Sequence, residues 1–262
     1  MYVFTSCAKP HGCWLLLGDG TLQVAEISIY NSTVRVLHNG DIKVNAAGNG
    51  MFGGGLSDDG PYTLSFGNQL VVAGCNVYAT LQEENTNAII SGCASFCPDD
   101  RSMMDLILAA ASEFDRLQNS SGRTYSDGMV CCQAAIVQTR QALPGSVQIK
   151  WLRPNHSVDE LGPRPRVFVA EEAWFDQKLV YDDLMADPPS KDALSVPILL
   201  DWVVVDEERP SSNGDITSLD CTRKEALCKS KKSGCSRKDR GRLCYCEDGY
   251  QGNPYIADGC QG

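Results

Sequence analysis

Nothing in this 262-residue chain approaches 18 consecutive apolar residues, so no segment reads as a membrane-spanning helix. The longest candidates, Val196–Val205 and Leu106–Ala111, are short and are interrupted or flanked by charges. The opening stretch MYVFTSCAKPHGCWLLLGDG has no basic leading segment and no sustained apolar core, which is not the pattern of a signal peptide. Histidine is scarce. His11, His38 and His156 are the three, and none stands in a nucleophile motif. Residues 221–262 contain neither a histidine nor paired C-x2-C knuckles, so their cysteines do not have the spacing of a zinc module. Gly48-x-Gly50-x-x-Gly53 matches a dinucleotide fingerprint as a string, but Gly54, Gly55 and Asp58–Pro61 follow where a helix should open. Adjacent carboxylates at Glu171-Glu172 diverge on a strand or a helix and do not face each other as a glycosidase acid and nucleophile would. The expectation is a non-enzymatic chain with no cofactor and no bound metal.

What the chain has in excess is cysteine. Thirteen occur, a density that belongs to secreted and cell-surface proteins in oxidising compartments. Six of them, Cys221, Cys228, Cys235, Cys244, Cys246 and Cys260, crowd into residues 221–262. That segment has almost no aliphatic residues and is too short to fold on buried apolar surface alone, so covalent cross-links must replace the core. Six half-cystines allow fifteen pairings in principle. The other seven, Cys7, Cys13, Cys75, Cys93, Cys97, Cys131 and Cys132, are odd in number, so at least one has no disulfide partner among them; their pairing stays open. Sequons at Asn31-Ser32-Thr33, Asn119-Ser120-Ser121 and Asn155-His156-Ser157 mark Asn31, Asn119 and Asn155 as candidate glycosylation sites.

Charge divides the chain. Residues 221–262 hold nine Lys/Arg against five Asp/Glu, a net of +4, while residues 1–220 hold fourteen against twenty-eight, a net of −14. The basic residues Lys229, Lys231, Lys232, Arg237, Lys238 and Arg240 are the candidate anion contacts. The plainer reading is a solvated surface on a domain too small to have anything else. The acidic remainder and the oxidising compartment argue against nucleic acid as a partner.

Up to residue 205 the pattern is mostly β. Short apolar or alternating stretches at Leu22–Tyr30, Thr33–Leu37, Tyr62–Phe66, Gln69–Val72, Val147–Leu152, Val167–Val169 and Val196–Val205 read as strands. Breakers such as Asn39-Gly40, Asp59-Gly60-Pro61 and Gly67-Asn68 separate them. Helices are expected over Met103–Leu117 and over Glu171–Met185, the second ending before Pro188-Pro189. The expected fold class is mainly β and disulfide-rich, with one or two helices. A cysteine-rich β domain over 1–140 is followed by a second β/α part over 141–205, a linker over 206–218 and the cysteine module over 219–262.

Two resemblances are carried by particular residues. Cys244-x-Cys246, then x-x-Gly249-Tyr250 and a final Cys260, resembles the epidermal-growth-factor-like (EGF-like) module. That family pairs first with third, second with fourth and fifth with sixth cysteine, which implies Cys221–Cys235, Cys228–Cys244 and Cys246–Cys260. Loops of this size are each expected to stabilise by roughly 3 kcal/mol. Along the chain, 16-LLGDGTLQVAEISIYNSTVRV-36, 68-NQLVVAGCNVYATL-81, 92-GCASFCP-98, 131-CCQAAI-136, 167-VFVAEEAWF-175, 196-VPILLDWVV-204 and 246-CEDGYQGNPYIADGCQ-261 resemble, in order, the extracellular region of plant wall-associated receptor kinases.

That resemblance implies a galacturonan-binding, cysteine-rich β domain followed by an EGF-like module, at the cell surface, with cell-wall pectin as partner. In the family a single transmembrane helix and a cytoplasmic Ser/Thr kinase follow, which this chain does not contain; the parent family resides in the plasma membrane. The family's opening Ile-Pro-Tyr-Pro-Phe-Gly stretch is missing here, and Ser126–Val130 stands where the family often has a further cysteine. The expectation is therefore a piece truncated at both ends. Thr217-Ser218-Leu219-Asp220 lacks the acidic cluster a calcium-binding module needs before its first cysteine. The implied function is a pectin-binding ectodomain that senses the wall. The alternatives are a spacer or docking ectodomain for other extracellular proteins, and a non-functional truncated remnant.

Overall fold

The computed structural model describes residues 3–8, 12–52, 56, 60–84, 86–97, 131–137, 144–152, 165–172, 174–175, 194–205, 221, 227–238 and 241–262. These residues are mainly β, with no helical element among them and five disulfides. The chain divides into two compact units, each discontinuous in sequence: Met1–Val36 with Gly55–Ser65 and Leu199–Gly262, and Leu37–Gly54 with Phe66–Ile198.

The first unit is built on antiparallel ribbons. Strands β1 (Val3–Ala8), β2 (Gly12–Leu17), β3 (Leu22–Ser28) and β4 (Thr33–Asn39) run in sequence order into a six-stranded sheet, β1-β2-β3-β4-β13-β6. In it, β13 (Ser195–Trp202) pairs with β6 (Tyr62–Leu64), setting Leu200 opposite Leu64 and Asp201 opposite Thr63. Val34 and Val36 are buried at alternate positions, the period-2 pattern of a strand with one packed face. The β2–β3 turn closes on Asp19, whose Oδ1 accepts from the Thr21 amide at 3.0 Å and the Thr21 hydroxyl at 2.6 Å. Gly20 there adopts φ +92, a conformation that side chains with a β-carbon resist.

The same unit carries the cysteine module. After Trp202 the chain forms β14 (Val204–Val205), which pairs with β16 (Gly241–Cys246); β16 in turn pairs with β15 (Ser233–Lys238). Gly241 permits this approach, since a β-carbon there would lie 2.2 Å from the Val204 carbonyl oxygen. A second small ribbon, β17 (Gln251–Gly252) with β18 (Cys260–Gln261), completes it. The disulfides are Cys221–Cys235, Cys228–Cys244 and Cys246–Cys260.

The second unit contains two sheets. One is β10 (Cys131–Ala135), β7 (Asn68–Ala73) and β12 (Arg166–Glu171). The other is β5 (Asn49–Met51), β11 (Pro144–Trp151), β8 (Val77–Glu83) and β9 (Ile89–Ser95). Strand β7 is central in its sheet and buried on both faces, so it reads as a continuous apolar run: Leu70, Val71 and Val72 are fully enclosed. The core around it gathers Val71, Ala73, Cys131, Phe168, Trp174 and Phe175. Two disulfides, Cys75–Cys97 and Cys93–Cys132, tie the turn after β7 and strand β10 to the β9 segment. Hydrogen bonds reinforce the join: the Ser91 hydroxyl donates to the Ala135 carbonyl at 3.0 Å, and the Cys97 amide to Asn76 Oδ1 at 3.2 Å.

All seven expected strand stretches fall on strands. The helix expected over Glu171–Met185 does not begin where expected. Glu171 is the last residue of β12, and the Glu172 amide donates to the Gly67 carbonyl at 2.7 Å, which holds a turn there. Trp174 and Phe175 then bury in the core. The rest of that stretch, and all of Met103–Leu117, lie outside the described residues.

Replacing Cys93 and Cys132 together by serine opens a cross-link spanning 39 residues. The expected loss of unfolding free energy is about 4 kcal/mol, read from urea unfolding of the oxidised protein against the parent.

Candidate functional site

The sequence marks a basic surface on the cysteine module, and the geometry shows how it is held. The turn Lys229–Lys232 precedes β15 and is fixed by its backbone: the Lys229 and Ser230 amides donate to the Pro254 carbonyl at 2.9 and 3.2 Å. Inside it, the buried Ser233 hydroxyl donates to the Ser230 carbonyl at 2.6 Å, and the Cys260 amide donates to Ser230 Oγ at 3.0 Å. These bonds consume the small polar residues inward and leave Lys229, Lys231 and Lys232 exposed. Lys231 stands 3.9 Å from Asp258, both largely solvated. Such a pair is worth little in water. The Lys232 ammonium lies 5.4 Å from the centre of the Tyr250 ring, within cation–π range.

The remaining basic residues are separated from this turn. Register places Arg237 directly opposite Arg242 across β15–β16, and Lys238 opposite Gly241. Along an extended strand at about 3.3 Å per residue, Arg237 is ~17 Å from Lys232. Neighbouring strand residues point to opposite faces, so Arg237 and Lys238 do not share one. The structure therefore brings Lys229, Lys231 and Lys232 together and sets Arg237 and Lys238 apart at the far end of the ribbon. Arg240 lies outside the described residues.

Lys238 has a specific counterpart. Asp201 on β13 is half-buried, and burial pushes its carboxyl above the usual carboxylate range; a hydrogen bond from Ser65 and the positive charge of Lys238 pull it part of the way back. Next to Asp201, Trp202 meets Tyr255 of the module, ring centroids 5.7 Å apart. The Tyr255 hydroxyl accepts from the Cys244 amide at 3.0 Å, and burial raises its pKa despite that bond. Sequence reasoning picked out Tyr250 only as part of the Gly249-Tyr250 motif and gave no role to Asp201, Tyr245 or Tyr255, because each acts through a partner distant in the chain.

Of the sequon residues, Asn31 sits exposed in the tight turn between β3 and β4, where its amide donates to Ser28 Oγ at 3.1 Å and the Ser32 amide to the Ile29 carbonyl at 3.3 Å. Asn119 and Asn155 lie outside the described residues. In the second unit a cavity of ≈ 280 Å³ has Phe52 and Phe168 on its apolar side. Its charged edge is self-paired, with Lys43 Nζ 2.8 Å from Asp41 Oδ1. Among the described residues no group of three or more His, Cys, Asp or Glu stands close enough to hold a metal ion. No helix there is long and apolar enough to cross a membrane.

These features define a disulfide-stapled, cysteine-rich β protein with a basic C-terminal ribbon. Its similarities are to plant receptor kinases of the cell wall, which bears out the resemblance read from the motifs. The chain is 26% identical over 213 residues to wall-associated receptor kinase 2 of Arabidopsis thaliana, covering 77% of this chain and 23% of that protein. It is 28% identical over 247 residues to wall-associated receptor kinase 4 of the same plant, covering 92% and 28%. Wall-associated receptor kinase-like 3 is 26% identical over 206 residues, covering 76% and 24%. The chain thus spans about a quarter of the length of the curated relatives it matches. No protein-family model matches it, and no solved structure does.

A raised carboxylate pKa has a definite sign. Between its ordinary value and its value in the fold, the native state holds a proton the unfolded chain has lost, so stability falls as pH rises through that window, and the deficit persists above it. Asp201→Asn removes this ionisation. Thermal melts from acid to neutral pH are expected to show the variant gaining on the parent through the window and staying ahead at neutral pH. Lys238→Met is expected to raise the upper edge of that window and leave its lower edge at the ordinary carboxylate value.

Proposed function

We propose that this chain is part of the extracellular region of a wall-associated receptor, that its C-terminal module is EGF-like, and that the module's basic surface engages pectin galacturonan. The similarity to wall-associated receptor kinases supports the first part. The cysteine pairing of first with third, second with fourth and fifth with sixth supports the second. The observation that carries the third is the backbone-anchored turn presenting Lys229, Lys231 and Lys232 together, on the one part of a net-acidic chain whose own net charge is positive.

At the other end of the ribbon, Arg237 faces Arg242. Exposed ion pairs contribute only about 0.2–1 kcal/mol each. A few of them give a short oligomer weak affinity, so useful binding comes from a long polymer that engages many sites at once. The chain itself acts as a binding region and catalyses nothing, Asn31 carries a glycan, and the location is the cell surface. Asn119 and Asn155 are further glycosylation sites under the same reading.

The oxidised protein passed over polygalacturonate beads is expected to be retained at low salt and released by added salt. Reversing three charges, Lys229→Glu with Lys231→Glu and Lys232→Glu, is expected to abolish retention. Retention that needs Ca²⁺ and survives the reversal would remove the basic surface from the account and transfer binding to acidic residues through bridging cations. Absence of retention in the correctly oxidised parent would leave the protein-docking role or a remnant without function.

A further inference from the structure

We propose that Tyr245 and Lys232 form a subsite for a single uronate unit, the Tyr245 ring taking the C–H face of the sugar and the Lys232 ammonium its carboxylate. The subsite rests on the reading of the module as a binder of acidic polysaccharide, and it adds an element that charge alone does not supply.

Two observations put the two residues on one face of the ribbon. Register sets Tyr245 directly opposite Gly234 on the β15–β16 ribbon. The ladder continues one step further, since the Glu247 amide donates to the Lys232 carbonyl at 3.1 Å. Lys232 and Gly234 therefore lie on the face that also carries Tyr245; Glu247 stands directly opposite Lys232 on that face, and Lys232 is the diagonal neighbour of Tyr245 at roughly 7–8 Å between α-carbons.

The ring needs that glycine. A β-carbon at 234 would come within 2.3 Å of Tyr245 Cζ and 2.5 Å of its hydroxyl oxygen, so the phenol end occupies the space a side chain would fill. One side of the ring rests on the Gly234 backbone, and half of the residue, 51%, stays open to solvent. The ring is thus held in place and left half bare. Its open face suits a flat apolar partner.

Lys232 is also held rather than loose. Its ammonium stands over the Tyr250 ring, which orders the long side chain while leaving the charge exposed. A pyranose carboxylate offers both things this pair selects: an apolar C–H face for the ring, and a negative group at one edge for the lysine. An acidic peptide offers the charge without the face.

The test separates ring from charge. Binding of a long polygalacturonate of defined chain length to the oxidised protein is measured by titration calorimetry over a range of salt. Tyr245→Ala and Gly234→Ala leave every charge in place, and the β-carbon of Gly234→Ala forces the whole rigid ring off its seat. Each is expected to weaken binding about tenfold without changing the slope of log affinity against log salt. Tyr245→Phe is expected to bind as the parent does. Lys232→Gln is expected to weaken binding and to flatten the salt slope.

Equal binding by parent and Tyr245→Ala overturns the subsite and leaves the pectin reading intact. No binding by the parent removes that reading and the subsite with it. Polyglutamate serves as the control. Binding of polyglutamate as tight as that of the sugar, and equally indifferent to Tyr245→Ala, overturns the subsite in favour of an acidic protein partner.

Discussion

Covalent closure is the constraint on which the C-terminal half of the site depends. The module has few buried apolar side chains, Leu243 among them, and its shape comes from three disulfides and a handful of inward hydrogen bonds. Cys235 and Cys244 are partners in register across the ribbon, yet each is bonded elsewhere, to Cys221 and Cys228. The ribbon is thus tied down from both of its strands. With the interior supplied by sulfur, the outward positions are released from packing duty and can carry Lys, Arg and Tyr.

Within the first unit the module is joined to its neighbour by more than a tether. Backbone pairing of β14 with β16, the Trp202–Tyr255 ring contact and the charge of Lys238 near Asp201 all converge on the end of β13. Asp201 illustrates the cost of such a seat. Its carboxyl is half-enclosed where burial disfavours the charge, and neither Ser65 nor Lys238 fully offsets that.

Much of the fold was legible in the sequence where local pattern decides it. Strand β4 alternates, β7 is a buried apolar run, and both were identified from composition and period alone. Strand β9, Ile89–Ser95, was not, because Gly92, Cys93, Ala94 and Ser95 carry no alternation; the Cys93–Cys132 bridge and pairing with β8 hold it. The start of the second helix failed for a related reason. Glu and Ala at 171–173 favour helix locally, but Glu171 is taken into the ladder with β7, opposite Asn68, a partner remote in sequence. The basic residues of the site were equally plain, since charge is written in the residue type. Which of them share a face was not, because that follows from the pairing of β15 with β16. The roles of Tyr245 and Asp201 were hidden for the same reason.

The joint at Val204–Val205 has a mechanical reading. A pull at Gly262 meets the Cys246–Cys260 bridge first and cannot lengthen it, so tension passes into β16 unchanged. What resists next is non-covalent: the short pairing of Val204 and Val205 with Arg242 and Gly241, and the Trp202–Tyr255 contact. Under load these contacts give way before the sulfur-locked body of the module can lengthen, so the module peels from the end of β13 as one piece.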